Sequence, residues 1–407
     1  MNLIMLLYPS VLFFVFIFAP ALLVAVFAAD TFSTLVFKIA AIGFVTFTAS
    51  SFLVYLGLTK KKDMTNSKYL KSIMFVLFFI FCCSYVVLVF DYHGLPVIEY
   101  LIHGGSPNQL RSEFYKEKQG FIQVAVYIRS ILTKGFIPLY AVYAFIFYKR
   151  KMFIMVFVIY LFFSLMTFEK SAILWFVLPL IFLFIYQKKY KRLVACVSLI
   201  VVVVFMLGAL QHSEPINGLE ARSGGLNGFR ESFEIRGALH EIDRYQFFFT
   251  DIDNKTSLPF LLDRMFWIPF VTMYDTILFW SKNYDDVLLF STNRHLAKMT
   301  GYPFANIERK VFIFQYGGGD ATTGNANASF IAEAYLMFGF LGVVFFSAIF
   351  GFINGLIVST GNVVLICAFS VYPYAIITSA SFLSMMFSGG LFLYLLLAHA
   401  LMVRYKL

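Results

Sequence analysis

The sequence predicts an all-α protein that crosses a membrane several times. Of its 407 residues, 60% are hydrophobic and only 13% are charged, and the mean hydropathy is +0.81. This balance is typical of chains embedded in lipid. Long apolar runs recur along the chain, and such runs cross a hydrocarbon layer of about 30 Å as helices. Polar and apolar residues do not alternate over blocks of about ten residues, which argues against a membrane barrel.

Ten apolar runs are predicted as transmembrane helices. Seven precede a long loop and three follow it, which divides the chain into 1–210, 211–328 and 329–407. The runs at 152–168 and 172–187 are short, so we expect little tilt or local irregularity there. The ten predicted spans are 3–28, 34–58, 72–90, 122–147, 152–168, 172–187, 193–210, 329–358, 363–378 and 380–402.

Lysine and arginine placement predicts the orientation. Basic residues cluster after the second, fourth and sixth predicted spans and at the C-terminus, which all fall on one side of a ten-span arrangement. Cytoplasmic loops carry an excess of such residues. We therefore expect both termini inside and the loops at 91–121 and 211–328 outside. The clusters comprise Lys60, Lys61, Lys62, Lys68, Lys71, Lys149, Arg150, Lys151, Lys188, Lys189, Lys191, Arg192, Arg404 and Lys406.

The segment 257–280 within the long loop is apolar but carries Asp263, Arg264 and Asp275. Charges at its centre and two tryptophans favour an interfacial or re-entrant helix over a lipid-facing span. The alternative is that it crosses the membrane, which would invert the last three spans.

Charge and cysteine usage exclude several classes of function. The formal net charge of +10 comes mostly from the predicted cytoplasmic clusters, so it does not indicate a nucleic-acid partner. All four cysteines lie in apolar spans without metal-ligand spacing, so we expect neither an outer disulfide nor a metal or other cofactor. The first span lacks a basic n-region and is predicted to be retained.

Seven arginines distinguish the long loop. Arg236, His240 and Arg244 are spaced to share one helix face, and paired guanidinium groups bind phosphate oxygens bidentately. Arg264 lies in an apolar stretch where a surface salt bridge is a poor explanation. The alternative for the helix is a solvated face with ion pairs of the Arg230–Glu234 type. The seven are Arg222, Arg230, Arg236, Arg244, Arg264, Arg294 and Arg309.

The start of the eighth span combines a glycine turn with polar residues. Gly317-Gly318-Gly319 precedes Asn325, Ser329 and Glu333, which recur every four residues and so share a helix face. A carboxylate near the end of a membrane helix is a functional candidate, and the glycine turn with the helix N-terminus is a candidate anion site. The alternative is a capped turn with Glu333 in a structural ion pair. Lys170, between spans five and six, either contacts a phosphate or snorkels.

Two blocks carry a family resemblance. Asn325–Gly342, with Arg264-Met-Phe-Trp-Ile-Pro269 as second support, resembles the Wzy-type O-antigen and oligosaccharide repeat-unit polymerases. The order of spans and the large loop after the seventh are similar to that family over the whole chain. Thr167-Phe-Glu-Lys-Ser171 is similar in placement to an element of the related O-antigen ligases. Those ligases carry a histidine where Asn327 stands here.

The resemblance implies a metal-independent glycosyltransferase with a GT-C-like fold in the bacterial inner membrane, its site facing the periplasm. It would transfer a growing glycan from undecaprenyl pyrophosphate to the non-reducing end of a lipid-linked repeat unit, and a separate chain-length regulator is an expected partner. The leaving pyrophosphate needs fixed positive charge, and the attacking hydroxyl needs a base. On this basis Glu333, then His240, is the expected catalytic base. Pyrophosphate is expected at Arg264, Arg236, Arg244 and Lys170, and other substrate contacts at Asn325, Asn327, Tyr335 and Arg230.

Two alternatives remain open. A flippase for lipid-linked oligosaccharides is typically richer in spans and in intramembrane charge and lacks a large outer loop. An O-antigen ligase shares the architecture, and the absence of the histidine counts mildly against it.

Overall fold

The described part of the chain is mostly helical and contains no strand. The computed structural model describes residues 2–28, 30–58, 68–104, 107–115, 118–199, 267–316, 326 and 329–403. Up to residue 199 the labelled α-helices are α1 (Asn2–Phe13), α2 (Ala19–Ala28), α3 (Thr31–Gly57), α4 (Lys68–Tyr92), α5 (Pro96–His103), α6 (Pro107–Tyr115), α7 (Gly120–Ile131), α8 (Ile137–Phe147), α9 (Arg150–Met166) and α10 (Lys170–Tyr186). Residues 190–199 are also helical. From residue 267 onwards the helices are α11 (Ile268–Asn283), α12 (Arg294–Thr300), α13 (Ile307–Tyr316), α14 (Phe330–Ser359), α15 (Val363–Phe369), α16 (Val371–Thr378), α17 (Phe382–Phe387) and α18 (Leu391–Val403).

The prediction of a helical membrane protein is confirmed. Within the described ranges, five helical stretches are long and apolar enough to cross a membrane. Two of them contain a π-helical turn, at Phe14–Phe18 and at Leu132–Phe136. The five stretches are Leu3–Ala28, Thr31–Gly57, Lys71–His103, Gly120–Phe147 and Phe330–Ser359.

Among the described helices, α3 and α14 form the most extensive pair. Gly351 and Gly355 of α14 lie against the backbone of α3, where a Cβ atom would meet carbonyl oxygens. Ser51 Oγ donates a hydrogen bond to the Gly351 carbonyl at 3.1 Å, and Ser50 Oγ donates to the Ala348 carbonyl at 2.8 Å. Small residues four apart allow membrane helices to approach this closely, and the serines satisfy their hydroxyl groups across the interface.

The predicted span at 329–358 corresponds to α14, but this helix is not continuous. Phe338 (φ −141°, ψ 21°) and Gly339 (φ 60°, ψ −145°) leave the helical conformation. The positive φ of Gly339 is favourable only for glycine. The break frees the Leu336 carbonyl, which accepts a hydrogen bond from the Leu288 N–H at 2.7 Å. Because this neighbouring segment replaces the lost helical bond, the break is tolerated inside an apolar bundle.

Two other predicted elements differ in detail from expectation. The segment predicted at 257–280 is helical from Ile268 to Asn283, and the ten residues from Pro269 to Leu278 are all buried by protein. Its 257–266 portion lies outside the described residues, so its membrane placement stays a prediction. The predicted last span, 380–402, is divided into α17 and α18 by a turn in which Gly390 has φ 75°.

Candidate functional site

Glu333 connects two broken helices. It lies in the short N-terminal half of α14, four residues after Ser329, and is half-buried. Its Oε1 accepts a hydrogen bond from Ser381 Oγ at 2.8 Å, and its Oε2 accepts a long one, 3.5 Å, from the Leu383 N–H. Ser381 also caps α17, because its Oγ accepts from the Ser384 N–H at 3.0 Å. The carboxylate is therefore held in place on one side and remains accessible to water on the other.

Lys134 lies in the middle of the stretch Gly120–Phe147, within the π-helical turn. This turn packs against the turn before α18 through the backbones of Gly135 and Gly390. Tyr372 Oη donates a hydrogen bond to the Lys134 carbonyl at 2.7 Å. Lys134 is half-buried, and among the described residues no carboxylate lies within 4.0 Å of its ammonium. A lysine in a membrane span without a direct counter-ion is a candidate anion ligand.

Glu308 on α13 links Lys134 and Glu333 electrostatically. It is accessible to water yet lies close enough to both groups for their charges to interact. Desolvation by the surrounding protein raises the pKa of the Glu308 carboxyl above its usual value, although the side chain keeps contact with water, and the Lys134 ammonium opposes this rise. The Glu308 carbonyl accepts a hydrogen bond from the Ala326 N–H at 3.0 Å. This bond joins residue 326, which precedes α14 in the chain, to helix α13.

Arg129 and Glu169 form an ion pair, with 2.6 Å between Arg129 Nη1 and Glu169 Oε2. Their side chains are 9% and 16% exposed, so the pair is largely withdrawn from water. Arg129 also donates to the hydroxyls of Tyr85 (3.1 Å) and Tyr115 (2.9 Å). Its guanidinium lies 4.0 Å from the centroid of the Tyr115 ring. Because Glu169 precedes α10 directly, Arg129 lies at the level where α9 and α10 meet.

Together these residues form a charged cluster, defined as Arg129, Lys134, Glu169, Glu308 and Glu333. Lys134 follows Arg129 by five residues, which places it roughly 7 Å further along the helix. The Lys134 ammonium interacts electrostatically with Arg129, Glu169 and Glu308. The cluster thus combines one ion pair, one cation without a direct partner among the described residues, and two carboxylates that water can reach. Such a set can bind an anion and accept a proton.

The structure describes only part of the predicted site. Tyr335 is 8% exposed, and its ring packs edge-on against Trp280 and Phe340 with centroids 5.5 Å apart in each pair. Lys170 begins α10, but its side chain lies outside the described part. The other predicted site residues also lie outside it, so their roles stay predictions: Arg230, Arg236, His240, Arg244, Arg264, Asn325 and Asn327.

Sequence reasoning missed Arg129, Lys134 and Glu308. The first two were visible as two cations inside the predicted span 122–147, and intramembrane cations are functional candidates. The π-helical turn at Lys134, a feature frequent at functional sites, has no signal in the sequence. Glu308 carried no signal because many carboxylates occur in the long loop.

Among the described residues, no group of three or more histidine, cysteine or acidic side chains could hold a metal ion. Comparisons of the chain with protein-family models, with curated proteins and with solved structures found no significant match.

Proposed function

We propose that the protein is a membrane glycosyltransferase that polymerises oligosaccharide repeat units carried on a polyprenyl pyrophosphate. The observation that carries this proposal is Lys134. It is a lysine in a membrane-spanning stretch, with no direct counter-ion among the described residues. Its charge interacts with the water-accessible carboxylate of Glu308, which in turn interacts with Glu333. A substrate that is both lipid-borne and anionic accounts for a cation at this position. The resemblance of Asn325–Gly342 to repeat-unit polymerases supports the same conclusion.

The resemblance implies the reaction, and we propose roles in it for these groups. A hydroxyl of the acceptor sugar attacks the anomeric carbon of the donor glycan, the bond from that carbon to the pyrophosphate oxygen breaks, and polyprenyl pyrophosphate leaves. Glu333 takes the hydroxyl proton, with His240 as the alternative base. Lys134 and the loop arginines, Arg236, Arg244 and Arg264, meet the charge that develops on the leaving group. Fixed cations in a site that excludes water stabilise such charge by several kcal/mol.

We further propose ten spans, both termini in the cytoplasm and a site that opens to the periplasmic face of the bacterial inner membrane. Five long apolar helical stretches support a bundle of this kind. The basic residues at the α8–α9 connection and after α10 support the orientation. Lys170 and the substrate contacts predicted at Arg230, Asn325, Asn327 and Tyr335 belong to this proposal, as do the GT-C-like fold and a chain-length regulator as partner.

The decisive test is the surface glycan profile of cells that lack this gene. Loss of all chains longer than one repeat, with the single repeat still attached to its acceptor, would support a polymerase. Loss of every repeat would contradict it and would indicate a flippase or a ligase.

Complementation with variants tests the cluster itself. We expect Lys134→Met to abolish long chains while leaving the protein at least as stable, because it removes a charge that has no direct counter-ion among the described residues. Lys38→Met is the matched control, since Lys38 is an exposed lysine in another apolar stretch, Thr31–Gly57. Equal loss of chain extension in both variants would show that Lys134 has no specific role in the site.

Glu333→Gln separates catalysis from structure. Glutamine retains an oxygen that can accept the Ser381 hydrogen bond, so the connection between α14 and α17 persists. Loss of a general base lowers the rate by about 10²–10⁴-fold. Full chain extension by this variant would show that Glu333 is not the base.

A further inference from the structure

A second polar site lies at the opposite end of helices α8 and α10 from the charged cluster. There the end of α8, the start of α9 and the end of α10 enclose a cleft of about 570 Å³, a volume within the usual range of ligand sites. We name it the basic cleft. Its lining includes Arg150, Lys189 and Arg192 together with Phe145, Phe153 and Ile154.

The charge of the basic cleft is of one sign. Three of the lining residues are cations, Arg150, Lys189 and Arg192, and none is acidic. The guanidinium of Arg192 lies 5.5 Å from the centroid of the Phe145 ring, so this aromatic ring holds the cation at the cleft wall. Among the described residues, none of the three cations forms an ion pair with a carboxylate. The cleft is therefore built to receive an anion.

The remaining lining is apolar and indicates what the anion is attached to. Ile146 and Ile154 are exposed, and Phe145 and Phe153 are half-buried. All four lie near the ends of apolar helices, in the same part of the fold as the three cations. A free phosphate would gain no binding energy from these apolar side chains. A lipid, in contrast, places its phosphate beside the cations and its acyl chains along the apolar side chains.

We propose that the basic cleft binds the headgroup of an anionic phospholipid. The same helix ends carry the basic residues that indicate the cytoplasmic side, so the lipid belongs to that leaflet. This proposal is independent of the reaction proposed above, because the cleft contains none of the residues of the charged cluster.

The test is lipid binding by the full-length protein in nanodiscs or detergent, measured by native mass spectrometry with phosphatidylglycerol and, as a neutral lipid, phosphatidylcholine. The cleft variant is Arg150→Gln/Lys189→Gln/Arg192→Gln. Each cation that lines the cleft next to the lipid phosphate is expected to contribute about five-fold in affinity, so removing all three is expected to weaken phosphatidylglycerol binding on the order of a hundred-fold. Arg192→Gln alone, which keeps two cations, is expected to weaken it about five-fold and guards against misfolding of the triple variant.

The matched control is Lys149→Gln/Lys151→Gln/Lys191→Gln, which removes three exposed cations of the same membrane face that do not line the cleft. We expect it to bind phosphatidylglycerol nearly as well as the unaltered protein. Equal weakening in the control would show general surface attraction and overturn the proposal. So would equal binding of phosphatidylcholine. Displacement of the lipid by excess inorganic phosphate would also overturn it, because the site would then recognise the free anion.

Discussion

The ion pair between Arg129 and Glu169 provides the sharpest test of the energetics of the bundle. The perturbation is Arg129→Met, which keeps a long apolar stem and removes the guanidinium. Three polar contacts are lost, one to Glu169 at 2.6 Å and two to the hydroxyls of Tyr85 and Tyr115. What remains is a carboxylate that is only 16% exposed.

The magnitude follows from what Glu169 retains. Removing one member of a buried ion pair costs about 3–5 kcal/mol, because the other charge stays buried and uncompensated. Here Tyr85 Oη still donates to Glu169 Oε2 at 3.1 Å, and the carboxylate keeps some access to water. Both features place the cost at the lower end, about 3 kcal/mol. Glu169→Gln should cost less, since Arg129 keeps two phenol oxygens and the face of the Tyr115 ring.

The assay is a double-mutant cycle on the purified protein, with the free energy of unfolding measured by SDS titration in mixed micelles. The double variant Arg129→Met/Glu169→Gln leaves no uncompensated charge, so it should be more stable than the sum of the single changes predicts. We expect a coupling energy of about 2 kcal/mol, within the range found for residues in direct contact. Additivity to within about 0.5 kcal/mol would refute the reasoning, because it would mean that the two charges do not depend on each other.

Three further changes test other parts of the structure. Gly351→Ala should destabilise the protein by about 1–3 kcal/mol in thermal unfolding, because the added Cβ meets the backbone of α3. Gly57→Ala is the control, since the space around Gly57 is open. Equal effects of the two substitutions would show that α3 and α14 are not in close contact at Gly351. Burial raises the pKa of Glu308 above its usual 4.5, so this group stabilises the fold below pH 4.5 and the contribution is lost as pH rises through its higher folded pKa. Glu308→Gln should therefore flatten the pH dependence of unfolding in that window, and an unchanged profile would contradict it. Ser381→Ala removes both the cap of α17 and the hydrogen bond to Glu333. We expect the free energy of unfolding to fall by about 0.5–2 kcal/mol. An unchanged free energy of unfolding would show that α17 does not need its cap.

The helical architecture could be predicted because lipid imposes a simple rule on the sequence. A run of apolar residues must satisfy its backbone internally, so it becomes a helix wherever it is long enough. The run predicted at 122–147 is indeed helical from Gly120 to Phe147, apart from its π-helical turn. The same rule cannot predict where a helix breaks. Gly339 looks like any other small residue of an apolar run, and the break depends on the Leu288 N–H from a distant segment.

The site was harder to predict than the fold because its members come from separate elements. Glu333 stood out in the sequence as the single acidic residue of its run, but its hydrogen bond to Ser381 joins positions 48 apart. Glu308 gains its role only from the proximity of Lys134 and Glu333. Arg129 and Lys134 could have been found by treating every cation inside an apolar run as a candidate.

The two cations of the span Gly120–Phe147 differ in a way that separates structure from function. Arg129 has a carboxylate and two phenol hydroxyls around it, so its charge is compensated within the fold. Lys134 has no such shell among the described residues, although it lies deeper along the helix. A charge without a direct counter-ion in an apolar bundle destabilises the fold, and selection retains such groups where function requires them. A bound anion would supply a direct partner at Lys134, and this difference is why we propose anion binding for Lys134 and a structural role for Arg129.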